Sequence, residues 1–324
     1  MSEPDHVADD PGAPSPSARG RWLVVARVAF LLAAVGFGWL WLRDDWDDVV
    51  AAVASVGPAS WARALIEVLL GLLLTGFVWT LGLRRFGHDV PKGAALSVFF
   101  VGQLGKYIPG SVWSLGAQAQ MATRYGVPPR TTVVAGLVFL GWNVVTAVLV
   151  TALGALRGLV DLPVPGWLLI VAAMAALACL TPRVVNAAGS WAAGEGRRLV
   201  LGGGDCILVT VALMATWLLY GMALYAVSPG LSNSEYYYPD DYGPGAAMVA
   251  FTAAYAVGVL VVLAPAGLGA REAILTLLLT PFLGVAGAAA AALLTRVVHT
   301  VADFSMAGAA WVLGRGSARP TPPE

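Results

Sequence analysis

Charge is scarce in this chain. Only 12% of its 324 residues are Asp, Glu, Lys or Arg, against about 25% in soluble domains. Lysine occurs twice, at Lys92 and Lys106, and histidine three times, at positions far apart. The two cysteines, Cys179 and Cys206, lie in or beside apolar runs. They offer neither a disulfide framework nor metal-ligand spacing. A formal net charge of zero argues against nucleic acid as a partner. No phosphate-binding P-loop is present, so no ATPase is built in. "GLGARE" lacks the third glycine and the strand context of a dinucleotide fingerprint. No Ser/His/Asp or paired-carboxylate arrangement follows from spacing. Neither an enzyme nor a cofactor or metal site is expected.

What the chain has instead is apolar sequence, 58% of the residues, with a mean hydropathy of +0.76. That composition defines an integral membrane protein. Residues 1–20 read as a polar tail and 315–324 as a second, Pro-rich one. Between them, 21–314 form one membrane domain. Spans are expected at 22–42, 61–81, 131–155, 166–184, 206–227 and 286–313, the first a retained helix rather than a signal peptide. Between the first two, Trp46, Val49, Val50, Val53 and Val56 follow helical spacing after a run of aspartates. This reads as a surface amphipathic helix or a plain connecting loop.

Two regions break the pattern. Residues 93–125 contain "GKYIPGSVWSLG", and 245–283 contain "APAGLGARE". Each flanking piece of the first reaches about 20–24 Å at 1.5 Å per residue, short of a hydrocarbon core of about 30 Å. The second has a similar form, and full crossings by 245–264 and 266–281 would leave the ends of the chain on the same side. Pro109 and Pro265 are 156 residues apart. Each is followed by a helical run, a Gly/Pro turn and a long Ala/Val-rich helix. This suggests pseudo-repeats at about 21–160 and 161–314. If both broken segments enter and leave on one side, twelve basic residues fall on one face and two, Arg43 and Arg157, on the other. Both termini are then cytoplasmic, and the halves have opposite topology. The expected fold is an all-α bundle of six full spans plus two Pro/Gly-broken re-entrant helix pairs. Such breaks mark a central substrate site.

"GKYIPGSVW", and "PAGLGAREAILTLLL" followed by "LLTRVVHTVADF", resemble the transmembrane region of lysylphosphatidylglycerol synthases, the flippase-like domain. The resemblance covers roughly residues 20–315, without the aminoacyl-transferase domain of the full-length enzymes. It implies a lipid-handling membrane protein on the translocating side of that family's work.

The candidate site follows from the breaks. A half-helix starts near Ser111, after Pro109 and Gly110. Another starts near Gly267, after Pro265, with Gly269 close behind. Helix N-termini facing the membrane interior favour an anion such as a lipid phosphate. Lys106 and Arg271 flank the breaks and are its candidate ligands. The alternative for Lys106 is snorkelling to the surface, and Glu272 has the option of simply neutralising Arg271. Arg296, His299 and Asp303 form one stripe at i, i+3 and i+7. They are either functional or mutually satisfied, His299 with Asp303 and Arg296 with Glu272. Arg63 and Glu67 read as a structural pair. Gln103, Gln118, Gln120 and Asn143 either line a cavity or bond between helices. The tyrosine-rich loop 228–245 reads as an interfacial anchor, with a partner-binding or gating role as the alternative. The expected partner is a membrane lipid with an anionic headgroup, a phospholipid or a lipid-linked sugar. The second reading is a non-transporting scaffold for a membrane glycosyltransferase. The third is an enzyme acting through Glu272, His299 and Asp303.

Overall fold

A computed structural model describes residues 46–108, 113–194, 198–228, 242–260, 267 and 269–317. Among them all regular structure is helical. The expected span 22–42, the N-terminal tail, residues 318–324 of the C-terminal tail, and most of loop 228–245 lie outside the described residues.

Several helices begin on proline, whose missing N–H costs nothing in a first turn. In α2 (Pro58–Arg85), α5 (Pro129–Leu156) and α7 (Pro182–Ala193), proline occupies the first turn behind an extended residue. Two arginines, Arg84 and Arg85, close α2 where the helix dipole is negative. The remaining helices are α1 (Trp46–Ala54), α3 (Lys92–Gln103), α4 (Trp113–Ala122), α6 (Gly166–Cys179), α8 (Gly203–Ala226), α9 (Pro244–Leu260) and α10 (Ala270–Ser317). Gly284, at φ 68°, divides α10 into two arms, three residues after Pro281. The expected surface helix is present as α1, with Val49 packed on Ala289 and Ala290 of the second arm.

Four of these helices are long and apolar enough to cross a membrane, or five if the bent pair α6–α7 counts as one span. The pair lies over the span expected at 166–184, and it is bent. The chain turns by 67° at Thr181, which is held extended, ψ 146°, by the proline after it. Outward faces are apolar. Ile66, Leu70, Leu73 and Phe77 line one side of α2, and Leu293, Val297, Val301 and Phe304 one side of α10, all exposed. A soluble helix would present polar residues there.

The principal helix pairs are antiparallel. Arg85 of α2 pairs with Asp205 of α8 at 2.6 Å, and Gly71 lies against Tyr220 further along. Thr151 of α5 bonds Thr252 of α9 at 3.0 Å, and Gly154 abuts Val249. Ser97 of α3 abuts Gly314 of α10. So α2 packs on α8, α3 on the second arm of α10, and α9 on α5. Small residues permit each approach.

Both broken regions fold back on themselves. In the first, Gly102 meets Gln118 and Gly105 meets Ser114, so α3 and α4 form a hairpin. In the second, Gly258 meets Arg271 and Tyr242 stacks near Phe282 with centroids 5.3 Å apart. That pairs α9 with the first arm of α10. A Cβ on Gly105 would lie 2.7 Å from the Ser114 nitrogen and 2.8 Å from its Cα. Gly105→Val is therefore expected to prise the first hairpin open, at a cost of about 1–3 kcal/mol. A fall in the detergent-solubilised melting temperature checks this.

Candidate functional site

The hairpin tips bring their charged residues to the second arm of α10. Lys106 sits in a 3₁₀ turn, Leu104–Tyr107, that ends α3. Its Nζ lies 2.6 Å from Asp303 Oδ2. Tyr107 donates to the same oxygen, also at 2.6 Å, and its ring stacks on Phe304 at 5.5 Å. Asp303 thus ties the first hairpin to α10. The second hairpin is tied by Glu272, which ion-pairs with Arg296. Its other oxygen accepts the Gly269 N–H at 2.7 Å. The first-turn N–H at this break is therefore capped from within the chain. Gly267 and Gly269 hold the tip at φ 70° and 87°, a region that glycine adopts without strain. Gly267 also passes close to Gly258.

Arg271 is the exception among the three cations gathered at the hairpin tips. It makes no ion pair among the described residues. Its guanidinium lies 4.5 Å over the Phe251 ring, and Nη2 is enclosed with no hydrogen-bond partner. Phe251 also stacks on His299 at 5.2 Å, and Tyr220 meets the His299 ring edge-on at 4.9 Å. His299 feels the charges of Arg271, Asp303 and Lys106, so these groups form one cluster. Three cationic side chains, Lys106, Arg271 and Arg296, face two carboxylates, Glu272 and Asp303. Two ion pairs consume Lys106 and Arg296. One positive charge remains, and it is on Arg271.

Several expectations change here. His299 does not pair with Asp303. Its Nδ1 lies 2.9 Å from the Thr295 carbonyl, one turn back, because Asp303 is taken by an ammonium and a phenol. A carbonyl only accepts, so Nδ1 carries a proton and Nε2 is enclosed without a partner. Glu272 pairs with Arg296, as its spacing allowed, and not with Arg271. Lys106 is held by Asp303 and remains about one-third exposed. Asn143 donates to Phe139 of its own helix at 2.8 Å instead of bonding between helices. Gln118 is buried at the hairpin contact. Arg63 and Glu67 pair at 2.9 Å, as expected. Pro109, Gly110, Ser111 and Pro265 lie outside the described residues.

Tyr107, Tyr220 and Phe251 were not expected. Tyr107 had a signal, as the neighbour of an intramembrane lysine with its own hydroxyl donor. Tyr220 and Phe251 had none, because an aromatic in an apolar run reads the same whether it faces lipid or a guanidinium.

A polytopic helical membrane protein with two helix hairpins meeting at an ion-pair cluster is the class these features define. The chain belongs to the family described as "Lysylphosphatidylglycerol synthase TM region", whose profile matches residues 24–304. No curated protein matches it.

Proposed function

We propose that the protein binds an anionic phospholipid or lipid-linked sugar by its phosphate and moves it across the cell membrane. Acyl chains stay in the bilayer and the headgroup passes the junction of the two hairpins. The observation that carries this is Arg271, a cation left over after ion pairing, with an enclosed N–H that lacks an acceptor. Such a group is costly unless something binds it. A phosphate oxygen supplies both the acceptor and the missing charge. The membrane family supports a lipid-related role. The reading is of a carrier, not an enzyme.

Inverted halves would let such a site alternate between faces. Supporting them, α2 and α8, which each precede a hairpin, pack antiparallel. Each hairpin's first helix packs on the long helix of the other half, α3 on α10 and α9 on α5. This is the exchange a twofold axis in the membrane plane produces. With the basic-residue asymmetry, the proposed orientation has both termini cytoplasmic and the α5–α6 turn outside. An Asp161→Cys variant, with Cys179 and Cys206 replaced by Ser, is expected to react with an impermeant maleimide added to intact cells. Reaction only after permeabilisation refutes the orientation.

The function is tested by reconstituting the purified chain in vesicles carrying a fluorescent phosphatidylglycerol. Outer-leaflet quenching should exceed the roughly one-half of probe accessible in protein-free vesicles. Quenching that stays at the protein-free level refutes transport and leaves the scaffold reading.

A further inference from the structure

The cluster holds an anion of its own in the place a ligand would take. Asp303 is nearly enclosed, with 7% of its side chain exposed, while its partner Lys106 is 34% exposed. The lysine is therefore the open end of the pair. A phosphate arriving from that side meets an ammonium already matched to a carboxylate. Asp303 Oδ2 is shared by Lys106 Nζ and Tyr107 OH, each at 2.6 Å. We infer that Asp303 is the site's resident anion, and that the ligand phosphate takes Lys106 from it as Asp303 takes up a proton. This rests on the anion-site reading above.

The exchange balances. In the closed state Asp303 is a carboxylate and Lys106 an ammonium. A proton from solvent binds Asp303, which becomes a neutral carboxyl still bonded to Tyr107. Lys106 stays an ammonium and joins Arg271 on the phosphate. One proton enters per anion bound, so a proton gradient and the lipid become coupled through one residue. The link between the first hairpin and the second arm of α10 loses its ion pair in the same step. At the hairpin tip the Tyr107 hydroxyl and the Tyr107–Phe304 stack remain, beside the packing of α3 along that arm.

Other groups face Asp303 from every neighbouring element. Lys106 and Tyr107 come from the 3₁₀ turn. Arg296 and His299 lie on its own arm, Arg271 and Glu272 on the first arm of α10, and Tyr220 on α8. Of these, the group that competes with Asp303 as a proton acceptor is His299. Its Nδ1 already carries a proton, and protonating Nε2 would place a second cation beside Arg271. Glu272 is held by Arg296 and the Gly269 N–H, neither of which the ligand needs to displace.

The test measures binding of short-chain phosphatidylglycerol to the full chain in detergent between about pH 5 and 8. The charge of this phosphodiester is constant over that range. Phosphatidylcholine, zwitterionic with no net charge, is the control. Glycerophosphoglycerol, the same headgroup without chains, separates a free phosphodiester from a lipid. Phosphatidylglycerol affinity should rise as pH falls, by up to about tenfold per unit, the limit for one linked proton. Asp303→Asn should bind about tenfold or more tightly at the high end and lose the slope. Lys106→Met should bind weakly at every pH, also without slope. His299→Gln should keep the slope. Glycerophosphoglycerol should show the same slope at lower affinity, and phosphatidylcholine none. A flat wild-type profile overturns the exchange, as does an Asp303→Asn variant that is no tighter or still pH-dependent. So does a slope that vanishes in His299→Gln alone. If Asp303→Asn does not fold, the Lys106→Met profile decides. Arg271→Ala separates the two readings: loss of binding there with no gain in Asp303→Asn sinks the exchange and leaves the anion site standing.

Discussion

Arg271→Ala is expected to stop anionic-lipid movement in reconstituted vesicles while leaving the chain folded. The guanidinium is the cation that neither internal ion pair consumes. Removing it takes one charge-assisted contact from the phosphate, worth about 1.5–3 kcal/mol, or roughly 10- to 150-fold in affinity. No carboxylate loses its ion-pair partner, so the stability cost is confined to the Phe251 stack, about 0.5–2 kcal/mol. Arg271→Lys keeps the charge but gives up the planar fork and the stacking, and should fall between. Quenching kinetics of fluorescent phosphatidylglycerol, with a melting curve on the same sample, check both halves of the prediction. Wild-type kinetics in Arg271→Ala would remove the observation on which the function rests.

The second large effect falls on stability. Glu272 faces Arg296 with 19% and 25% of the two side chains exposed. It also caps Gly269 at the tip of the second hairpin. Glu272→Gln leaves Arg296 and Arg271 as unbalanced neighbours and weakens the cap. Breaking a fully buried pair by one partner costs about 3–5 kcal/mol. At this degree of exposure about 2–3 kcal/mol is expected. Glu272→Gln/Arg296→Met should recover most of it, because the orphaned charge goes with its partner. Denaturation midpoints of the two variants decide: equal destabilisation in both would mean that the pair itself contributes the stability.

These predictions differ in how far the sequence anticipates them. Glu272 with Arg296 was legible, because an acid just after a Pro/Gly break and an arginine 24 residues later both sit in apolar surroundings that demand a counter-charge. The partner of Lys106 was not. Asp303 is nearly 200 residues away, and local spacing offered it His299 instead. Spacing on one helix says which groups can meet. It does not say which of two competing donors wins, and a full ammonium charge outbids an imidazole N–H for a carboxylate. Asn143 shows the same limit, since its amide found a carbonyl one turn back on its own helix. So does the 166–184 run, where hydropathy registers apolar length and not the extended residue that Pro182 imposes on Thr181.

The sequence by itself determined the solvent, the helical class and the two Pro/Gly-interrupted regions. Too few charges for water, long apolar runs, and Pro or Gly at fixed points leave few other outcomes in a medium where every backbone group must be satisfied internally. Only the tertiary structure decided that both hairpins dock on one stripe of the last helix. It also decided that Asp303 closes on Lys106 and that Arg271 is left over on Phe251. Those outcomes depend on distances between segments far apart in the chain. The Coulomb term that ranks competing partners is set by those distances and by burial, neither of which is written in residue order.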